Sequence, residues 1–163
     1  MLKYKAIAVK IFYYLFVIFA VTLNISNIKI IAINSLIPCF EIATIFYSIA
    51  MNNIFGLWFV FIVGIWSDAV NSTHLGISSL CYIIVIKFFH LLYEKIFIKE
   101  NFSHILMHFS FFIFLFQFLK ISFLTIIDKH FYDISRLLIQ SLLTIAIYPM
   151  LHYFFDYLDN KIE

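Results

Sequence analysis

The chain has 163 residues, of which 64% are hydrophobic and 12% charged, and its formal charge is +2. Soluble domains carry roughly 25% charged residues, and a soluble globule this apolar (mean hydropathy +1.03) would expose patches large enough to aggregate. These figures point to an all-α integral membrane protein, exclude a separate soluble domain, and leave no basic, aromatic-interleaved patch for nucleic acid.

A membrane-spanning helix needs about 20 apolar residues, so a chain of this length accommodates six or seven spans with tight loops. The expected first helix covers about 6–25, with Lys3, Lys5 and Lys10 at its start. Its positive flank and apolar run resemble a signal peptide, but VTLNIS follows where an A-x-A-like cleavage site would stand, so it reads as a retained helix. Residues 24–37, NISNIKIIAINSLI, mix Asn, Ser and Ile and read as an interfacial or re-entrant connector. Pro38 suits the first turn of a second helix expected over about 36–51.

The remaining helices are expected over about 54–70, 76–97, 103–127 and 134–157, giving a bundle of six in a single membrane domain. The second and third are short for a full span and would tilt little or thin the bilayer. Lys3, Lys5, Lys10, Lys95, Lys99 and Lys161 fall on one side and Lys29, Lys129 and Arg136 on the other. That bias places both termini in the cytoplasm and makes the chain a multi-pass protein of a bacterial inner membrane. Cys39 and Cys81 lie inside apolar runs and read as small buried hydrophobes.

All three glycines fall within GLWFVFIVGIWSDAVNSTHLG, residues 56–76. Gly64 and Asp68, four apart, share a helix face, so a neighbouring helix can approach at the glycine while the carboxylate finds a partner. Gly76 falls where the fourth helix should open, with Asn71, Ser72 and Thr73 available as caps. The stretch therefore reads as a tight helical hairpin. Asp68 reads in two ways: a turn acid capping the fourth helix, or a membrane acid paired with a base. Glu41 and Lys120 fall at a similar depth and complete a candidate polar cluster with Asp68.

The other polar residues carry less. Lys87, near the middle of the fourth helix, reads as a snorkelling cation or, with His90, as a basic face for a partner. His104 and His108 have metal-ligand spacing, but Ile105 stands where a zinc-protease motif needs glutamate, so no metal site and no cofactor is expected. Pro149 should kink the last helix or open a groove. No nucleophile triad, phosphate loop or paired intramembrane carboxylate appears, so the chain does not read as an enzyme.

The hairpin segment, FGLWFVFIVGIWSDAVNSTHLGISSLCYIIV, resembles the central signature of the rod shape-determining protein MreD family. In that family a helix ending in G-x-x-x-D is followed by a small, polar turn and then L-G. Gly64, Asp68, Leu75 and Gly76 stand at those positions, while Ser72 stands where the family usually has glycine. LIPCFEIATIFYSIAMNN, with Pro38 and Tyr47, is similar to the family's second helix, and Tyr148–Pro149 to an aromatic-proline pair in its last. The resemblance implies a non-catalytic scaffold or regulator of the bacterial cell-elongation machinery. Its partners would be an MreC-like bitopic protein, actin-like MreB filaments and the peptidoglycan synthases. The alternative is the substrate-binding membrane subunit of a vitamin or metal transporter. That class has small residues at four-residue spacing in its first helix, where AIAVKIFYYLFVIFAV is bulky.

Overall fold

The computed structural model describes residues 2–23, 38–52, 55–96, 102–129 and 134–160, and among them the chain is helical throughout, with no strand. The helices are α1 (Leu2–Leu23), α2 (Phe40–Tyr47), α3 (Leu57–Val70), α4 (Ile77–Ile96), α5 (Phe102–Asp128) and α6 (Ile134–Asn160). A π-helical turn, Ser48–Asn52, continues α2. The connector over 24–37 lies outside the described residues, as do Lys29, Lys99 and Lys161.

Two boundaries differ from the sequence expectation for physical reasons. The expected second helix begins later, because Cys39 takes the N-cap position, and Pro38 stands just outside the helix instead of in its first turn. The Cys39 amide is instead satisfied by the Thr144 hydroxyl of α6 at 3.0 Å. The same helix then widens into the π turn, where the Ser48 hydroxyl accepts the Phe55 amide at 3.0 Å. α3 starts at Leu57, with Gly56 as its N-cap; the Gly56 carbonyl accepts the amides of Phe59 and Val60.

The shortest helix is the most enclosed. Every side chain of α2 from Glu41 to Tyr47 is buried, because the helix is packed by α1, α5 and α6. Phe46 lies at the centre, its ring 5.2 Å from those of Phe109 and Phe112, 5.3 Å from Phe89 and 5.8 Å from Tyr148. Edge-to-face arrangements of this kind add about 0.5–1.5 kcal/mol per pair beyond burial. Tyr148 stacks on Phe109 at 3.9 Å beside Pro149, which sits within an uninterrupted α6.

The exterior carries many large apolar side chains, and several polar side chains are buried within a mainly apolar core. Trp58, Ile126, Met150 and Phe118 are largely exposed, while Glu41, Ser48, Asp68, Ser78, Gln117 and Thr144 are buried. Two helices, Phe102–Asp128 and Leu137–Asn160, are long and apolar enough to cross a membrane.

Candidate functional site

α3 and α4 pack antiparallel, and Gly64 fixes their separation. A Cβ built on Gly64 would stand 2.4 Å from the Ser79 Cα and 2.5 Å from its backbone nitrogen. Real Cβ atoms do not come that close to backbone, so only glycine permits the contact. The Ser79 hydroxyl then crosses the same gap and donates to the Phe61 carbonyl at 2.8 Å. Hydroxyl-to-backbone bonds of this kind supply specificity where two apolar helices meet in an apolar surrounding.

One turn beyond Gly64 is Asp68, whose side chain is fully buried. Its Oδ2 accepts the backbone amides of Gly76 and Ser78, each at 2.9 Å, and its Oδ1 accepts the Thr73 hydroxyl at 3.2 Å. The carboxylate of α3 is therefore the cap of α4. The favourable N-terminal dipole of α4 and two amides left over by helix geometry stabilise its charge. Lys120 of α5 approaches Oδ1 to 4.0 Å from a mostly buried position. The two sequence readings of Asp68 are thus not alternatives in this structure: the same carboxylate caps a helix and faces a cation.

The residues read from sequence as caps do other work. The Asn71 side chain bonds back to the Ser67 carbonyl at 2.7 Å, and Thr73 serves Asp68. Ser72 has φ +53° and Gly76 φ +97°, so the reversal between the helices depends on two left-handed positions. Gly76 adopts that conformation freely, whereas Ser72 bears the steric cost of its Cβ. Leu75 points outward from the turn and is 68% exposed.

Glu41 is buried on α2. Its charge and that of Lys120 both act on the Cys39 thiol, and its charge and that of Asp68 both act on Tyr82. Glu41, Asp68 and Lys120 thus occupy one electrostatic neighbourhood, within which Lys120 and Asp68 approach to 4.0 Å. Cys39 and Cys81 are both free and buried.

Three features escaped sequence reasoning. His74, in the turn, meets Asp128 at the end of α5 at 2.6 Å and ties the hairpin to that helix. At the opposite end of the bundle, Asp159 of α6 accepts the hydroxyls of Tyr13 at 3.2 Å and Tyr47 at 2.9 Å, which joins α1, α2 and α6. A cleft of about 260 Å³ also opens beside the start of α3, with Lys87 and His90 among its walls. His104 is exposed and His108 half-buried against Phe89. Among the described residues no three metal-ligating side chains come together.

The arrangement defines a helical protein organised around a glycine-packed hairpin with a buried, self-capped carboxylate. Comparison with known proteins found no matching family model, no matching curated protein and no matching solved structure.

Proposed function

We propose that the chain is a multi-pass membrane protein that acts as a non-catalytic scaffold or regulator of the bacterial cell-elongation machinery, as its resemblance to the MreD family implies. The observation that carries this reading is the coincidence of signature and geometry. Of the four signature positions, Gly64, Asp68 and Gly76 set the helix contact, the cap and the turn, while Leu75 is exposed. Ser72, the departure from the family pattern, occupies a left-handed position where the family's glycine would be unstrained.

The apolar exterior, with polar side chains such as Asp68, Gln117 and Thr144 buried inside, supports placement of the bundle in lipid. In that setting the hairpin end faces away from the cytoplasm and both termini lie inside. The protein holds its own helices in fixed register and offers exposed apolar faces, such as Trp58, Ile62 and Trp66 on α3, to the single helices of MreC-like or synthase partners. MreB filaments would be reached directly or through those partners.

The transporter-subunit alternative needs a ligand pocket at the Asp68 end. There the carboxylate is already satisfied by two amides, a hydroxyl and a lysine, which favours a structural role. Co-purification from native membranes in mild detergent, followed by mass spectrometry, tests the proposal. Near-equal recovery of MreC-like or synthase partners is the expected result. Recovery of an ATPase with coupling subunits, or of a bound metabolite, would overturn it in favour of the transporter reading.

A further inference from the structure

The helices differ in length from one side of the bundle to the other. α5 and α6 have 27 residues each, whereas α3 has 14. At about 1.5 Å per residue these lengths are about 40 Å and about 21 Å, against about 30 Å for a typical hydrocarbon core. Tilt shortens the reach of a helix, so it cannot rescue one that is already too short. Both ends of α3 open to the surroundings. At the outer end, Asn71, Ser72 and His74 of the turn are exposed. At the inner end, Gly56 is exposed in an extended conformation, and a Cβ placed on it would meet nothing within 4 Å. Lipid-exposed backbone outside a helix is not tolerated in hydrocarbon, so Gly56 marks the inner boundary on this face. Lys87 marks it independently. Because Gly64 lies against Ser79 in an antiparallel pair, Leu57 and Ile86 are level, and the exposed Lys87 comes next. A charge facing hydrocarbon is expensive. α5 passes this level without a break. Phe88 and Phe111 have ring centroids 6.3 Å apart, which puts Phe111 near the height of the α3 N-terminus. From there α5 runs nine residues further, to Phe102, or about 14 Å.

We infer that the α3 face thins the lipid bilayer beside it, by about 9 Å if the hydrocarbon matches the length of that helix, while the α5 side meets lipid of ordinary thickness. What covers the face is phospholipid. Leu57, Trp58, Phe61, Ile62 and Trp66 make the exposed apolar strip, polar groups bound it at both edges, and shorter acyl chains fit its height. Trp58, 82% exposed at the inner edge, is of the residue type enriched where membrane meets water. The inference rests on the membrane placement proposed above and is independent of which proteins the chain assembles with.

Trp58 and Trp66 are the two tryptophans of the chain, so fluorescence quenching can read the depth of single positions. The full chain is reconstituted in dioleoylphosphatidylcholine vesicles that contain phosphatidylcholine with a nitroxide either near the headgroup or near the end of the acyl chain. Trp66→Phe leaves Trp58 as the reporter. Trp58→Phe, Trp66→Phe and Phe111→Trp combined move the reporter to the same height on α5, where Phe111 is 47% exposed. Trp58 stands about 18 Å inward of Val70, which is near the midplane of an uncompressed core of about 30 Å. If the α3 face thins the bilayer, the ratio of shallow to deep quenching should exceed one for Trp58 and fall below one for the probe at position 111. Helicity and elution volume identify a variant that has failed to fold, and Phe114→Trp, also exposed on α5, then replaces Phe111→Trp. A ratio below one for Trp58, or the same ratio at both positions, would overturn the inference. Failure of either label to quench either probe, or release of the chain by alkaline carbonate, refutes the membrane placement instead.

Discussion

At the scale of single residues, the hairpin concentrates its stability in positions where very little substitution is tolerated. Gly64→Ala forces a methyl against the Ser79 backbone and should lower stability by about 1–3 kcal/mol, the usual cost of overpacking. Thermal denaturation in detergent, followed by circular dichroism, would show it. Ser72→Gly should act in the opposite direction. Relief of left-handed strain, about 1–2 kcal/mol, exceeds the backbone entropy lost by a glycine, about 0.5–1 kcal/mol. A raised melting temperature for Ser72→Gly and a lowered one for Gly76→Ala would together establish that both residues are conformationally constrained.

Asp68 allows a finer dissection. Asp68→Ala leaves the Gly76 and Ser78 amides and Lys120 without their carboxylate, and should cost about 3–5 kcal/mol, as for a broken buried pair. Combining Asp68→Asn with Lys120→Met in a double-mutant cycle isolates the charge term. Residues in contact couple by about 0.5–3 kcal/mol, so strict additivity would mean that the 4.0 Å approach contributes nothing.

At the scale of elements, the molecule is held at two ends by different chemistry. The hairpin end uses backbone amides and charge; the other end uses Tyr13 and Tyr47 on Asp159. Tyr47→Phe keeps the ring, which lies 5.0 Å from that of Phe155, and removes only a charged hydrogen bond. A loss of about 1.5–3 kcal/mol is expected, measured by the same denaturation. How much of this was legible follows from the range of each interaction. Gly64 and Asp68 could be read because a four-residue spacing puts them on one helix face whatever surrounds them. The Asp68 cap was half legible: an acid near a helix start was visible, but its reach past Asn71 and Ser72 to Ser78 depends on how the turn folds. The π turn after Tyr47 left no sequence signal, although the Ser48 hydroxyl within it accepts the Phe55 amide. The meetings of His74 with Asp128 and of Asp159 with two tyrosines depend on helix register, which composition and spacing do not encode.

At the scale of the whole molecule, α2 is the organising element although it has only eight residues. Its burial on all sides means that the longer helices are arranged around it, and Phe46→Ala, which empties the centre, should cost about 3–5 kcal/mol. That variant should lose cooperative unfolding before it loses helicity. The exposed faces of α3, α5 and α6 remain apolar and unsubstituted in such a variant. A partner that docks on those faces should therefore be lost only when the bundle loosens, and co-purification of Phe46→Ala against wild type would register the difference.

The self-capped carboxylate also bears on how the protein is made. Asp68 draws its amides from Gly76 and Ser78, a few residues downstream, whereas Lys120 belongs to a helix synthesised only later. An acid entering hydrocarbon alone would be expensive to insert. Here the nascent chain supplies the acid's solvation from its own backbone as soon as the turn emerges from the ribosome. In the membrane placement proposed above, the α3–α4 pair would then enter the bilayer as one unit before its basic partner is made, and Lys120 would arrive at a site whose geometry is already set.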